Sequence, residues 1–341
     1  MDPHLAWGHD LTKVRRVRHS REGSAAPPKP CSCPYPMDTC EGYGLPFHFV
    51  GPFTLFVPLS KVYVDPHPLD HMRETFFRLA ASGFVPRSLF APDLPATPPP
   101  LPVGRSLKLE IVSHCWQYAY LLTYQLSSLV LHPPAKTSVT MTVFYTLEDE
   151  STKALLEFFG SKDVPRVRWN WQPLEKKELF RRSLGRNLAA RVTEADWIWF
   201  ADCDLVFHEG AIDAAGKALL GRDDFLVFPR RHQITELLKP ADSYLQEGRK
   251  GPRLLDIDPT SGFSTDTRER AVGALQITRG DVARAAGYCG TIDFYQRPVP
   301  RWRRTHDDRV FRWLLGTQGN PVEIPGIYRI RHRSKGRKAG R

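Results

Sequence analysis

The stretch WIWFADCDLVF, residues 197–207, joins the pattern of a buried strand to two carboxylates. Apart from Asp202, Cys203 and Asp204, its residues are all apolar or aromatic, which is typical of a strand buried on both faces. The two aspartates follow at the point where that strand should end. Because buried charge is costly unless it is paired or binds a ligand, the stretch predicts a ligand site at the tip of a central strand. The alternative is that both aspartates are turn residues before a helix that begins near Glu209.

Strands and helices alternate from Leu107 up to this stretch. The alternation predicts an α/β fold in which a central, mostly parallel sheet carries helices on both faces. Ligands bind such sheets beyond the carboxyl ends of the strands, which is where the two aspartates fall. The predicted strands cover 107–113, 138–145, 167–171 and 197–201, and the predicted helices cover 116–131, 149–160 and, as one long helix, 173–195.

The N-terminal part of the chain has a different pattern. It is irregular and rich in proline, and it ends in APDLPATPPPLPVGR. We expect an accessory segment there, with a boundary near Gly104 and with a strand pair over 47–59 and a helix over 72–84. The expected divisions are an accessory segment over 1–105, the main domain over 106–333 and a basic tail over 334–341.

Composition limits the function classes. Of the 341 residues, 41% are hydrophobic and 25% are charged, which is typical of a globular protein. The sequence has neither an apolar run of about 18 residues nor the apolar core of a secretory signal. We therefore expect a cytoplasmic protein or one bound peripherally to the cytosolic face of a membrane. The net charge of +11 comes largely from the two ends, which could contact anionic lipid or nucleic acid or simply be solvated.

The N-terminal cysteines raise a separate question. Cys31, Cys33 and Cys40 lie near His48, but their spacing departs from the short, regular gaps of zinc sites. A metal bound by them stays an open alternative.

The segment SLGRNLAARVTEADWIWFADCDLVF resembles the core of the family 2 glycosyltransferases, which have the Rossmann-like GT-A fold. In that family an Arg-Asn helix precedes the aromatic strand and the Asp-x-Asp pair. The resemblance implies that Arg186 and Asn187 contact the nucleotide-sugar donor. It also implies a donor-binding turn after the first strand, where Ser113 and His114 lie.

Three later segments are similar to the same family. VGALQITRGDVARAAGY is similar to the loop, strand and helix that close over the donor, so Gly273 and Ala274 are expected in that loop. THDDRVFRWLL is similar to the acidic pair that opens the acceptor-side helix. IYRIRHR carries a late histidine where many such enzymes have a metal ligand. The residues in these last two roles are Asp307, Asp308 and His332.

The resemblance implies a metal-dependent transferase that moves a sugar from a nucleotide-diphospho-sugar, with UDP-linked donors the first expectation, to a hydroxyl group. Mn²⁺ or Mg²⁺ would be held by Asp202, Asp204 and His332, since such cations take carboxylates and phosphate oxygens. Asp308 or Asp307 would be the general base, and inversion of the anomeric carbon is implied with it. The acceptor could be a glycan, a lipid-linked molecule or another hydroxyl compound.

Aromatic residues before the second acidic pair are candidates for acceptor binding. In TIDFYQRPVPRWRRTHDD, Tyr295 and Trp302 could stack on a sugar. The alternative is that such rings only pack the loop.

Other functions stay open. A sugar-nucleotide pyrophosphorylase would need a glycine-rich phosphate loop after the first strand, and VSHCWQYAY contains no glycine. A retaining transferase on the same fold is a further alternative. A nucleic-acid-binding protein would suit the charge, but the sequence lacks its recognisable motifs, so we do not expect nucleic acid as a partner.

Overall fold

A computed structural model describes residues 69–96, 105–302 and 305–332. All described residues belong to one compact unit within Lys61–Arg341. The expected strand pair over 47–59, the three N-terminal cysteines, the boundary at Gly104 and the tail over 334–341 lie outside the described residues. These expectations stay predictions.

The strands and helices follow the alternation seen in the sequence. In chain order the strands are β1 (Lys108–His114), β2 (Ser138–Tyr145), β3 (Val167–Pro173), β4 (Trp197–Phe200), β5 (Leu205–Phe207), β6 (Leu226–Pro229), β7 (Arg231–Thr235), β8 (Phe263–Thr267), β9 (Gln276–Arg279), β10 (Asn320–Val322) and β11 (Ile327–Arg329). The α-helices are α1 (Asp70–Leu79), α2 (Ala119–Leu131), α3 (Glu150–Gly160), α4 (Lys176–Leu179), α5 (Arg182–Val192), α6 (Ala211–Leu219), α7 (Ser243–Gly248), α8 (Gly280–Ala286) and α9 (Asp307–Leu315).

The main sheet has the strand order β10-β6-β9-β4-β1-β2-β3. Its strands are parallel except β9, which is antiparallel to both of its neighbours. The central strand β4 is buried along its whole length, because helices cover both faces of the sheet. One face packs on α2, α3 and α6, and the other packs on α5, α8 and α9. The predicted α/β fold with a mostly parallel sheet is therefore confirmed.

A second sheet continues from the end of β4. Its strand order is β5-β11-β7-β8, and β11 lies antiparallel to β5 with Arg329 opposite Leu205. The sequence analysis did not predict this sheet. It matters for function, because it brings the C-terminal segment of the domain against the residues that follow β4.

The long helix predicted over 173–195 is wrong, because the structure forms two helices, α4 and α5. Pro173 still belongs to β3, paired with Tyr145. The chain then breaks at Arg181, whose backbone angles (φ −99°, ψ 83°) are not helical. The break lets the Arg181 Nε donate to the Arg297 carbonyl at 3.1 Å and places its guanidinium 4.7 Å from the centre of the Phe294 ring.

The N-terminal helix packs on the same body. Phe77 of α1 is buried, and its ring stacks 6.2 Å from that of Phe294. Residues 69–96 are thus part of the compact unit that contains the main sheet. The described helices are all too short or too polar to span a lipid bilayer.

Candidate functional site

Asp202 and Asp204 lie immediately beyond β4, at the carboxyl edge of the parallel strands. Asp204 is almost fully buried, whereas the side chain of Asp202 is 20% exposed. Cys203 between them is buried in the core beneath the sheet. A hydrogen bond with Cys115 and burial together raise the pKa of the Cys203 thiol well above its usual value. Cys203 is therefore a neutral packing residue.

Three arginines surround the Asp202 carboxylate. Its Oδ1 accepts hydrogen bonds from Arg182 Nη1 at 2.8 Å and from Arg186 Nη2 at 3.3 Å. Its Oδ2 accepts one from Arg329 Nη2 at 3.3 Å. Burial alone would raise the pKa of Asp202, but the three guanidinium groups outweigh it and lower the pKa to about 2. Asp202 is therefore ionised at every physiological pH.

Asp204 shares one of these arginines. Arg329 Nε donates to Asp204 Oδ2 at 3.0 Å, and the Ile330 N–H donates to the Asp204 carbonyl at 2.9 Å. The second carboxylate oxygen, Oδ1, is buried and has no hydrogen-bond partner among the described residues. A buried carboxylate oxygen without a donor is costly unless a ligand completes it, and it suits a divalent cation.

Arg186 connects the two acidic pairs. The same buried guanidinium that contacts Asp202 places its Nη1 3.9 Å from Asp307 Oδ2. That Asp307 oxygen is buried without a hydrogen-bond partner in the described part of the chain. The Tyr288 hydroxyl lies 2.9 Å from Arg186 Nη1 and donates to Gln276 Oε1 at 2.7 Å. Residues from five separate segments thus converge beside the end of β4.

Asp308 points to a different group. Its Oδ2 accepts from the Gly273 N–H at 3.3 Å and from Arg312 Nη1 at 3.4 Å. Gly273 has a positive φ of 50°, a conformation that glycine adopts without strain. Ala274 next to it is buried, and its carbonyl accepts from Trp199 Nε1 at 2.8 Å. The structure therefore brings the expected donor loop together with the second acidic pair, through Asp308.

The two residues expected in the turn after the first strand differ in their surroundings. Ser113 is buried and donates to Gln125 Oε1 at 2.7 Å, and Gln125 Nε2 donates to the Asp202 carbonyl at 2.9 Å. His114 stacks on Phe144 with ring centres 5.0 Å apart, and neither of its buried ring nitrogens has a hydrogen-bond partner among the described residues. Burial, with Arg186 and Arg182 nearby, holds the pKa of His114 well below its usual range. His114 is thus a neutral ring beside the arginine cluster.

Asn187 lies away from this cluster. Its Oδ1 accepts from the Tyr288 N–H at 3.0 Å and lies where a Cβ on Gly287 or Gly290 would fall. The contact fixes the backbone just after α8 at Tyr288, whose hydroxyl contacts Arg186. In this structure Asn187 positions Tyr288 from behind the site.

The two aromatic candidates for acceptor binding differ in their burial. The Tyr295 ring is fully buried, and its hydroxyl donates to the Thr305 carbonyl at 3.2 Å. A buried ring offers no face for stacking, so the structure places Tyr295 in the core. Trp302 is half-buried at the end of the segment that leads to α9, which leaves part of its ring accessible.

His332 is buried next to Tyr118, with ring centres 5.1 Å apart. It does not form a three-residue ligand cluster with the aspartates. In the part of the chain that the structure describes, the group of three whose ligand atoms lie within 4.8 Å of one another is His132, His208 and Asp256.

Two residues of the cluster, Arg182 and Arg329, were not expected from the sequence. Arg329 lies in IYRIRHR, the segment in which His332 was singled out, and only the pairing of β11 with β5 shows that it reaches the aspartates. Arg182 begins α5 one turn before Arg186, so both point to the same side of the helix. That spacing is visible in the sequence once the helix is known to begin there.

No family model matches the chain, and no curated protein matches it in sequence. Among solved structures it is similar to S. aureus TarS 1-349 in complex with UDP-GlcNAc, with 13% identity and a TM-score of 0.43, over 69% of this chain and 62% of that one. It is also similar to the mannosyltransferase PcManGT from Pyrobaculum calidifontis in complex with GDP-Man and Mn²⁺, with 12% identity and a TM-score of 0.40, over 79% and 68% of the two chains. The bifunctional glycosyltransferase WbbM in its apo form matches with 15% identity and a TM-score of 0.28, over 38% and 24%. The chain thus spans less than two thirds of the TarS chain that it matches.

Proposed function

We propose that the protein is a glycosyltransferase that moves a sugar from a nucleotide-diphospho-sugar to a hydroxyl acceptor. The observation that carries the proposal is the position of Arg186, which contacts Asp202 on one side and lies 3.9 Å from Asp307 on the other. Two acidic groups that are distant in the sequence therefore share one buried cation at the ligand edge of the sheet. Sugar transfer can use such an arrangement, because cations beside Asp202 would stabilise the leaving diphosphate and the second carboxylate would deprotonate the acceptor.

The arginine cluster is suited to the diphosphate. Arg182, Arg186 and Arg329 carry three positive charges, and the two aspartates between them carry two negative charges. These five groups keep an excess of one positive charge, which Asp307 offsets beside Arg186. Guanidinium groups bind phosphate oxygens through paired hydrogen bonds, so the arginines would stabilise the charge that develops on the leaving group.

Asp204 is the residue best suited to a divalent cation. Its Oδ1 is buried and without a donor in the described residues, whereas both oxygens of Asp202 already accept from arginines. Mn²⁺ or Mg²⁺ held there would supply further positive charge beside the diphosphate. His332 and Asp202 stay predictions as ligands, since they do not form a three-residue cluster with Asp204.

Asp307 is the better placed of the two candidate bases. Its Oδ2 faces the guanidinium that contacts Asp202 and accepts no hydrogen bond from the described residues. Asp308 instead holds Gly273 and Arg312, so it would fix the donor loop. A carboxylate that removes the acceptor proton on the face opposite the leaving group gives inversion, and this stereochemistry is part of the proposal.

His114 would meet the donor as a neutral ring. Arg182, Arg186 and Asp202 lie close enough to His114 to act on its pKa, and its buried ring nitrogens have no hydrogen-bond partner among the described residues. Trp302 is the proposed acceptor platform. A glycan or a lipid-linked acceptor would suit it equally. A cytoplasmic location, or a peripheral one on the cytosolic face of a membrane, is part of the proposal.

A donor panel tests the function. UDP-GlcNAc, GDP-Man and other nucleotide sugars should be screened by thermal shift with Mn²⁺, with Mg²⁺ and with chelator, and the best donor should then be used in a transfer assay with analysis of the anomeric product. We expect stabilisation by one nucleotide family and its loss in Arg186→Met, while the exposed control Arg231→Met stays like the wild type. Failure of every nucleotide sugar to bind in the presence of either metal would overturn the proposal.

Asp307→Asn tests the assigned base. The change removes the proton acceptor and keeps the shape, so turnover should fall by about 10²–10⁴-fold, while the thermal shift by donor is retained. Asp308→Asn should instead weaken donor binding, because it loosens Gly273. If Asp308→Asn abolishes turnover with normal donor binding and Asp307→Asn is active, the two roles must be exchanged.

A further inference from the structure

Two histidines and one aspartate meet at a second place in the domain, away from the arginine cluster. His132 follows the last turn of α2, His208 follows β5, and Asp256 lies in the loop after α7. One ligand atom from each lies within 4.8 Å of the other two. His132 Nε2 and Asp256 Oδ2 are 3.0 Å apart, and the rings of His132 and His208 have centres 4.4 Å apart.

From these contacts we propose that His132, His208 and Asp256 bind a divalent transition-metal ion, with Zn²⁺ the best match. Two imidazole nitrogens and one carboxylate oxygen are a ligand set that Zn²⁺ accepts, with the fourth position left to water or another ligand. Ligand atoms around tetrahedral Zn²⁺ are about 3.4 Å apart, given metal–ligand distances of about 2.0–2.2 Å. The ligand atoms lie within 4.8 Å of one another, so each pair must change its separation by at most about 1.4 Å to reach that spacing.

The buried polar side chains of α2 prearrange the three ligands. Thr123 Oγ1 donates to the Arg253 carbonyl at 3.0 Å, and Ser127 Oγ accepts from the Leu255 N–H at 2.9 Å. These two bonds fix the loop that carries Asp256 along the helix. Ser127 is fully buried, so its hydroxyl has no role in solvent contact.

The same helix also fixes the third ligand. Ser128 Oγ accepts from the Phe207 N–H at 3.1 Å, directly before His208, and the His208 N–H donates to the Gly326 carbonyl at 2.8 Å. Because α2 itself ends at His132, one rigid helix sets the position of all three ligands. These contacts hold the three ligands in position before the ion binds, so binding needs little rearrangement of the protein.

The ring nitrogens are available for coordination. In the described residues the His208 ring nitrogens accept or donate no hydrogen bond, and His132 bonds only through Nε2 to Asp256. Asp256 is accessible from solvent, which gives an ion a path of entry. The alternative is an ordinary His132–Asp256 ion pair with His208 stacked beside it.

The site is separate from the arginine cluster. His208 lies four residues beyond Asp204 along β5, which corresponds to about 13 Å of extended chain. An ion there would not contact the proposed donor. It would tie the end of α2, the end of β5 and the loop after α7 together, so binding would stabilise the fold.

Cobalt spectroscopy of the full chain tests the site directly. Metal-free protein would be titrated with Co²⁺ and then with Zn²⁺, with the bound ions counted after dialysis. We expect visible bands of a nitrogen and oxygen ligand set, their displacement by Zn²⁺, and a rise in melting temperature with Zn²⁺. Asp256→Asn and His208→Gln should each weaken binding by about 100-fold or more. That loss is larger than the one expected from changing a residue that only hydrogen-bonds to a metal ligand.

The controls separate the other groups that could take up metal. Asp258→Asn removes the same charge from the same exposed loop and should bind like the wild type. Replacement of Cys31, Cys33 and Cys40 by serine should leave the bands unchanged, and so should Asp204→Asn, which removes the carboxylate proposed to bind a cation beside the arginine cluster. Equal Co²⁺ binding by the wild type, Asp256→Asn and His208→Gln, with all three folded by circular dichroism, would overturn the proposal. So would bands that disappear in the serine variant.

Discussion

Removal of Arg329 should weaken the fold and strengthen metal binding at Asp204. Arg329 makes two charge-assisted contacts, Nε to Asp204 at 3.0 Å and Nη2 to Asp202 at 3.3 Å. Its side chain is 21% exposed, and that of Asp204 is 7% exposed. Breaking one side of a well-buried ion pair costs about 3–5 kcal/mol, and the partial exposure puts Arg329→Met near the lower end, at about 3 kcal/mol. The melting temperature should fall by roughly 5 °C, given an unfolding entropy of about 2.1 cal/mol/K per residue for a unit of about 280 residues.

The same substitution frees Asp204 for a cation. In the wild type a divalent ion must compete with the Arg329 guanidinium for Oδ2, so its loss should raise the affinity for Mn²⁺ by about tenfold, or about 1.4 kcal/mol. Bound Mn²⁺ can be followed by electron paramagnetic resonance in the absence of nucleotide. Adding Asp204→Asn to the variant must abolish the gain, and Arg231→Met, an exposed arginine paired with Glu323, serves as control. Unchanged or weaker Mn²⁺ binding in Arg329→Met would refute the assignment of Asp204 as the metal ligand.

Three further predictions concern other groups. Gly185→Ala should lower the melting temperature and weaken donor binding by thermal shift, because its Cβ would lie 2.3 Å from His114 Nε2 and overpacking costs about 1–3 kcal/mol; a variant as stable as the wild type would contradict this. Burial lowers the pKa of His232 to about 4. Between about pH 4 and 6.5 this histidine is therefore protonated in the unfolded state but not in the folded state. About 3 kcal/mol of stability should be lost as the pH falls from about 6.5 to 4, and His232→Phe should flatten that part of a urea-denaturation profile. Mn²⁺ and nucleotide diphosphate should each raise the affinity of the other by about tenfold, measured by calorimetry; independent binding would count against a shared site.

The sequence predicts strands β1 to β4 of the main sheet because each of these four has a local signal, whereas β6 and β10 were not predicted. The buried pattern of WIWF and the eight-residue strand SVTMTVFY match β4 and β2 in the structure. The carboxyl edge of these strands is fixed by the same alternation, so Asp202 and His114 fall at the ligand edge without any tertiary information. Parallel strands joined by helices leave few other arrangements.

The partners of the aspartates could not be predicted in the same way. Arg329 reaches Asp202 only because β11 pairs with β5 in one register, and short strands of three residues carry too little pattern to fix a register. Arg182 was not recognised because one long helix was expected. The break at Arg181 decides which residues of α5 face the sheet. His132, His208 and Asp256 have no common motif, because their meeting depends on the hydrogen bonds along α2.

The charge of the cluster explains why nucleotide and metal should bind together. Arg182, Arg186 and Arg329 carry three positive charges at a buried edge of the sheet, and Asp202, Asp204 and Asp307 carry three negative charges. A divalent cation alone would raise the net charge to about +2, and a diphosphate alone would lower it to about −2, both of which are unfavourable in a poorly solvated site. A diphosphate that enters with its cation leaves the charge unchanged. Arg329 would then exchange one carboxylate partner for phosphate oxygens, which keeps it paired in both states and makes the ligand-free site stable enough to form.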